Sequence, residues 1–165
     1  MNHVLRSCSL RALVVLSTTL VSCATSRDIT AKPTPGASYR SAYLVAHGDR
    51  SSDVDASIQR ELFRHGLTVS SGPEGKQPDT ADLVVKYADS WNWDMTMYLK
   101  TLDIQMFDAR TNTLVATATW KNSPMHGFHG LDGVVSELVS GMLAKLGVRP
   151  AALTRRSSDF GPSIC

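Results

Sequence analysis

Asp89 and Asp94 flank two tryptophans in Asp89-Ser90-Trp91-Asn92-Trp93-Asp94, the stretch of this chain that comes nearest to an active site. Two carboxyl groups several ångströms apart beside an aromatic platform suit general acid–base work on a sugar, so a domain that binds or hydrolyses cell-wall glycans is one reading. In the structural reading Asp94 ends a strand or caps a turn, and Trp91 and Trp93 pack with Tyr87. A third reading makes Tyr87, Trp91, Trp93 and Asp94 an aromatic surface for a partner. His126 and His129 share a glycine-rich loop just before Asp132, and their nitrogen and oxygen donors are of the kind zinc accepts. Two loop histidines without a third sharply placed ligand are more often simply solvated, and a helix beginning near Gly130 would offer free N–H groups to an anion instead. His47 stands in a loop between a strand and a helix, where parallel α/β units often build sites. No serine lies in a Gly-x-Ser-x-Gly elbow, and Gly72-Pro73-Glu74-Gly75-Lys76 lacks phosphate-loop spacing. The expectation is a chain with no catalytic residues, no resident metal and no cofactor.

These residues must be held by elements that the hydrophobic pattern locates. Tyr43, Leu44 and Val45 mark a short buried strand within residues 41–46. Ser52 opens a helix, with Asp55 three residues on echoing a capping box, and Val54, Ile58, Leu62 and Phe63 share its apolar face. Gly66 stops that helix, and residues 67–70 form the next strand, so the chain starts as a βαβ unit. After a turn-rich loop over residues 72–78, Leu83, Val85, Tyr87, Trp91 and Trp93 alternate with more polar residues. Strands over residues 98–107 and 114–120 follow, joined by the turn at residues 108–113. Leu131, Val134, Val135, Leu138, Val139, Met142, Leu143 and Leu146 then repeat at three and four, and Gly147 closes a final helix. Two helices and about five strands predict an α/β (α+β) two-layer sandwich, a mixed sheet with both helices on one face.

The ends carry an address rather than a fold. Arg6 and Arg11 precede the hydrophobic run Ala12–Leu20, which is too short to span a bilayer and suits an export signal. The run closes in Leu20-Val21-Ser22-Cys23, which resembles the lipobox of bacterial lipoproteins. That resemblance implies a signal peptide over residues 1–22 and lipid on Cys23, with stable membrane anchoring because two or three acyl chains bind durably. Ala24, where an Asp would resemble an inner-membrane retention signal, points to the outer membrane facing the periplasm. Residues 23–38 read as a lipidated cysteine and flexible tether with a reach of roughly 20 Å, residues 39–147 as the domain, and residues 148–165 as a disordered tail. With Cys8 in the signal and Cys23 acylated, Cys165 is left without an internal disulfide partner.

Composition agrees with one modest globular domain: 165 residues, 42% hydrophobic, 19% charged, formal net charge +2. All 15 acidic residues follow position 22, and of the 17 basic ones only Arg6 and Arg11 precede it, so without the front segment the charges balance at 15 against 15. A zero balance argues against nucleic acid as a partner.

The stretch Trp91-Asn92-Trp93-Asp94, followed by Phe107-Asp108-Ala109-Arg110-Thr111-Asn112-Thr113-Leu114-Val115, resembles small proteobacterial envelope lipoproteins of unknown function. They share a Trp-x-Trp-Asp strand end and a hairpin turn reading Asp-x-x-Thr before Leu-Val. The element order is more distantly similar to the amino-terminal domain of the translocation protein TolB and to lipoprotein activators of penicillin-binding proteins. The resemblance implies a lipid-anchored α/β domain that acts through contacts with another envelope protein, and it supplies no catalytic residues.

Overall fold

The computed structural model describes residues 25–48, 51–123 and 129–148. Residues 1–24, which carry the expected export signal and Cys23, as well as His126 and residues 149–165, lie outside the described residues. Six strands form one mixed sheet: β1 (Ser26–Ala31), β2 (Ser41–Val45), β3 (Thr68–Gly72), β4 (Leu83–Asp94), β5 (Thr96–Asp108) and β6 (Thr113–Lys121). Helices α1 (Ser52–Arg64) and α2 (Leu131–Lys145) cover one face. The spatial order is β1-β6-β5-β4-β2-β3; β2 runs parallel to β3 and β4, and every other neighbouring pair is antiparallel. This is the expected two-layer sandwich, enlarged by one strand.

The period of two in β4 and β5 seats Leu83, Val85, Tyr87, Leu102, Ile104 and Met106 against Val54, Ile58 and Leu62 of α1 and Val135, Leu138, Val139 and Met142 of α2. Both helices end where glycine was expected to end them. Gly66 (φ 81°) and Gly147 (φ 80°) take the left-handed conformation, and the N–H groups of Leu67 and Val148 reach back to the carbonyls of Leu62 and Leu143. Phe63 departs from expectation: it is 73% exposed, because the apolar stripe of α1 is satisfied by Val54, Ile58 and Leu62 and leaves Phe63 on the rim. The capping box also does not form. Ser51 is the N-cap without a side-chain cap bond, and Asp55 is buried against Tyr87 instead.

The uncovered sheet face is not uniform. Near the β2–β4 end, Tyr43, Val45, Ala81 and Val84 bury a small second cluster beside Phe107 and Ala109. Elsewhere it is polar, with Thr119 donating to Asp103 across β5 and β6 at 2.6 Å.

The sixth strand corrects the tether reading. Residues 26–31 pair with β6 from Ser26 opposite Lys121 to Ala31 opposite Ala116. One large apolar residue, Ile29, docks this strand on α2, where Gly141 leaves it room: a Cβ on Gly141 would stand 2.6 Å from Ile29 Cδ1. Arg27 pairs with Glu137, and Lys145 donates to the Ile29 carbonyl. Gly141→Leu is therefore expected to displace Ile29 and cost about 1–3 kcal/mol, with the β1 amides exchanging hydrogen faster than those of β4; uniform exchange behaviour would disprove this docking.

Candidate functional site

The β4–β5 ladder outruns the rest of the sheet. After Ser90 opposite Thr101 the register shifts, and four more pairs follow, Trp91 with Leu99, Asn92 with Tyr98, Trp93 with Met97 and Asp94 with Thr96. Lys100 is the extra residue, a bulge that turns Leu99 and Met97 onto the same face as Leu102. Trp91, Trp93, Met97 and Leu99 thus share one face of a projecting arm, continuous with the core. Leu99 is buried and Trp91 half-buried at its base, whereas Trp93, Met95 and Met97 are 68%, 90% and 57% exposed. Met95 sits at the tip with φ 59°, a conformation that is strained for a side chain other than glycine or asparagine. Met95 thus combines an exposed apolar side chain with strained backbone at the end of the arm.

The expected aromatic surface is divided. Tyr87 is 5% exposed and belongs to the core; its hydroxyl donates to Asp55 Oδ1 at 2.7 Å, and His47 stacks on its ring at 4.3 Å. Burial, then the Asp55 bond and charge, raise the Tyr87 pKa, so the phenol stays protonated. Trp91 is the joint: it packs on the core, and its indole N–H donates to Asp89 Oδ2 at 2.6 Å. Trp93 and Asp94 alone of the four are exposed.

The two carboxylates of the glycan reading are not brought together. Alternation along β4 sets Asp89 on the helix-covered face with Trp91 and Asp94 on the other. Asp89 is occupied by the Ser51 hydroxyl at 2.9 Å and by Trp91, which ties the start of α1 to β4. Nor do the candidate metal donors converge among the described residues. The His129 ring meets the edge of Trp120 at 5.6 Å and its Nε2 lies 3.4 Å from Thr25 Oγ1. Asp132 accepts from Ser57 at 2.6 Å and Arg60 at 2.8 Å, bonds that hold its carboxyl below the usual range and clasp α2 to α1. His126 lies outside the described residues.

Asp82 makes a second clasp that the sequence reading missed. Although burial opposes its charge, the N–H groups of Arg40 and Ser41 and the Ser41 hydroxyl donate to it and hold its pKa below the ordinary value, fixing the entry to β2 against the entry to β4. The Met95 and Met97 contribution was also missed, although Trp91, Trp93, Met95, Met97 and Leu99 alternate without interruption through the turn.

No family of known proteins matches the chain, and no curated protein matches it. Several solved structures resemble it. The PelC dodecamer from Paraburkholderia phytofirmans superposes with TM-score 0.56 at 17% identity, over 76% of this chain and 99% of that one. A point variant of the same dodecamer gives 0.53 at 18% identity, again over 76% and 99%. TolB from Acinetobacter baumannii gives 0.47 at 12% identity, over 78% of this chain and 32% of that one. For the two PelC structures the likeness is one of fold.

Two substitutions test this description. Met95→Gly relieves the left-handed strain and should leave stability unchanged or raise it by roughly 0.5–1 kcal/mol in denaturant titration, whereas a loss would mean that the Met95 side chain supports the fold. Asp82→Asn should cost about 1–2 kcal/mol at pH 7. Because the Asp82 pKa is lowered on folding, its contribution is present above the unfolded value of about 4 and is lost as pH falls through the folded value, so mutant and wild type should converge once the pH lies below the folded value.

Proposed function

We propose that this chain is an envelope lipoprotein, held at the outer membrane by lipid on Cys23 and facing the periplasm, that acts without catalysis by binding another envelope protein. The observation that carries the protein contact is the β3 edge. β3 pairs on one side with β2, and its exposed Thr68, Ser70 and Ser71 bring no charge to its open side. Natural sheet edges that are not used for pairing are ordinarily blunted by charge or proline. The opposite edge, β1, is blunted in this way by Arg27 and Asp28. An incoming strand laid along β3 would find unpaired backbone groups over its five residues, the mode of strand addition by which many proteins recognise extended partners. The PelC structures that share this fold are dodecamers, so repeated protein contacts are compatible with the architecture. A second copy of this chain is therefore one of the partners that the experiment must distinguish.

A non-catalytic role is supported by the fate of the polar groups. Asp55, Asp89 and Asp132, which lie nearest the features that invited chemistry, are each engaged in bonds that fasten one element to another.

The test is in-cell crosslinking from a photoreactive residue at position 71 of the full-length chain, with the adduct identified by mass spectrometry. One defined protein should be captured, and Ser70→Lys with Ser71→Lys should reduce capture by about tenfold, equivalent to ~1.4 kcal/mol of binding, while the fold is retained. No defined adduct at β3 would overturn the edge assignment. Cys23→Ser should move the chain from the membrane to the soluble fraction, and unchanged fractionation would overturn the anchor.

A further inference from the structure

The sheet register relates the anchor to the arm. Ser26 of β1 lies in one cross-strand row with Lys121 of β6, Thr101 of β5 and Ser90 of β4. Beyond that row, at the same end of the sheet, the chain continues in both places of interest. Cys23 stands three positions before Ser26, so its Cα lies within about 10 Å of the row however the intervening residues are arranged. The four pairs of the arm, from Trp91 with Leu99 to Asp94 with Thr96, extend about 13 Å past the same row. Lipid on Cys23 brings this end of the sheet to the bilayer, and the arm is long enough to reach the depth of the acylated residue.

We propose that the tip of the β4–β5 arm is a second membrane contact, in which Trp93, Met95 and Met97 enter the boundary between headgroups and acyl chains of the leaflet that holds Cys23. The chemistry of the tip fits that occupant. Tryptophan belongs at such boundaries because its ring is apolar and its N–H is polar, and two unbranched methionines adapt to a disordered surface. Behind them Lys100, the bulge residue, and Lys121, in the row at the base of the arm, are both exposed and stand where anionic headgroups would lie. Apolar tip and basic base repeat, in a hairpin, the division that interfacial helices make between their faces. A protein partner for the tip would have to compete with a bilayer that the anchor holds within reach. The contact also gives the domain an orientation: two points of attachment, at β1 and at the arm, leave the β3 edge on the far side of the sheet from β1.

This inference rests on the lipidation of Cys23 proposed above, and one experiment separates the two. The lipidated full-length protein is reconstituted into phosphatidylethanolamine and phosphatidylglycerol vesicles with brominated acyl chains, floated on a gradient, and its tryptophan emission compared with that of Trp93→Phe. The chain holds three tryptophans, and the difference between the two proteins isolates Trp93 from Trp91 and Trp120. The Trp93 share should shift to the blue and be quenched at least about twofold, as expected of a ring at acyl depth. Met95→Asp with Met97→Asp should abolish that quenching while flotation and circular dichroism stay unchanged. Flotation with Trp93 unquenched would overturn the arm contact and leave the anchor standing, whereas failure to float would overturn the anchor and the arm contact together. A photoreactive residue at position 95 should form adducts with lipid in cells, and an adduct with one defined protein in place of lipid would also overturn the proposal.

Discussion

The bulge at Lys100 is the constraint on which the rest of the structure turns. Along β5, Met106, Ile104 and Leu102 face the helices by strict alternation, and the same alternation would send Met97 and Leu99 to the opposite, polar face. One extra residue reverses the parity. The apolar face of the sheet then does not end where the helices end but runs on into the arm, and Leu99 is buried where it would otherwise be stranded. Trp91 closes the joint from the β4 side, packed on the core while its indole N–H holds Asp89, which in turn holds Ser51 at the start of α1. The core, the first helix and the arm are in this way one mechanical unit, and the tip is presented by packed structure and not by a loose loop.

Four carboxylates serve the fold as fixed anions. Glu74, Asp82, Asp108 and Asp132 are all displaced downward by the bonds they accept, Asp82 and Asp108 despite burial that opposes the charge. Asp108 spends its carboxylate on the N–H groups of Arg110 and Thr111, which shapes the turn into β6 that the Asp-x-x-Thr sequence announces. Such groups are stabilised as anions by the fold and stabilise it in return.

Much of the fold was legible because its elements repeat strongly. The short buried run of β2, the alternation in β4, β5 and β6, the three-and-four repeat of the helices and the glycines that end them placed seven of the eight elements and the layer they form. What escaped had weak local signals and tertiary causes. β1 has one large apolar residue in six, and it becomes a strand because Gly141 lets Ile29 dock and β6 offers an edge. Asp55 carries the pattern of a capping box, but a buried Tyr87 hydroxyl needs an acceptor more than an exposed N–H does. The aromatic surface was half legible: composition marks Tyr87 and the tryptophans as a group, while only packing shows that Tyr87 and Trp91 belong inside and that Met95 and Met97 complete the exposed part.

The docking of β1 changes what the proposed lipid on Cys23 would do. A free linker from Cys23 to Tyr39 would let the domain wander roughly 20 Å above its lipid and present every face in turn. With residues 26–31 built into the sheet, a lipid on Cys23 would be held within about 10 Å of Ser26, and strand direction would set which end of the sheet meets the membrane. On the proposed anchor, so short a leash would raise the effective concentration of the arm at the bilayer, and three exposed apolar side chains that would bind weakly on a soluble protein would suffice beside the acyl chains. A leash fastened at the β1 edge would leave β3 as the edge farthest from the proposed anchor. Under the proposed function, sheet order would therefore separate two tasks that a single apolar patch would confuse, attachment at one side of the domain and recognition at the other.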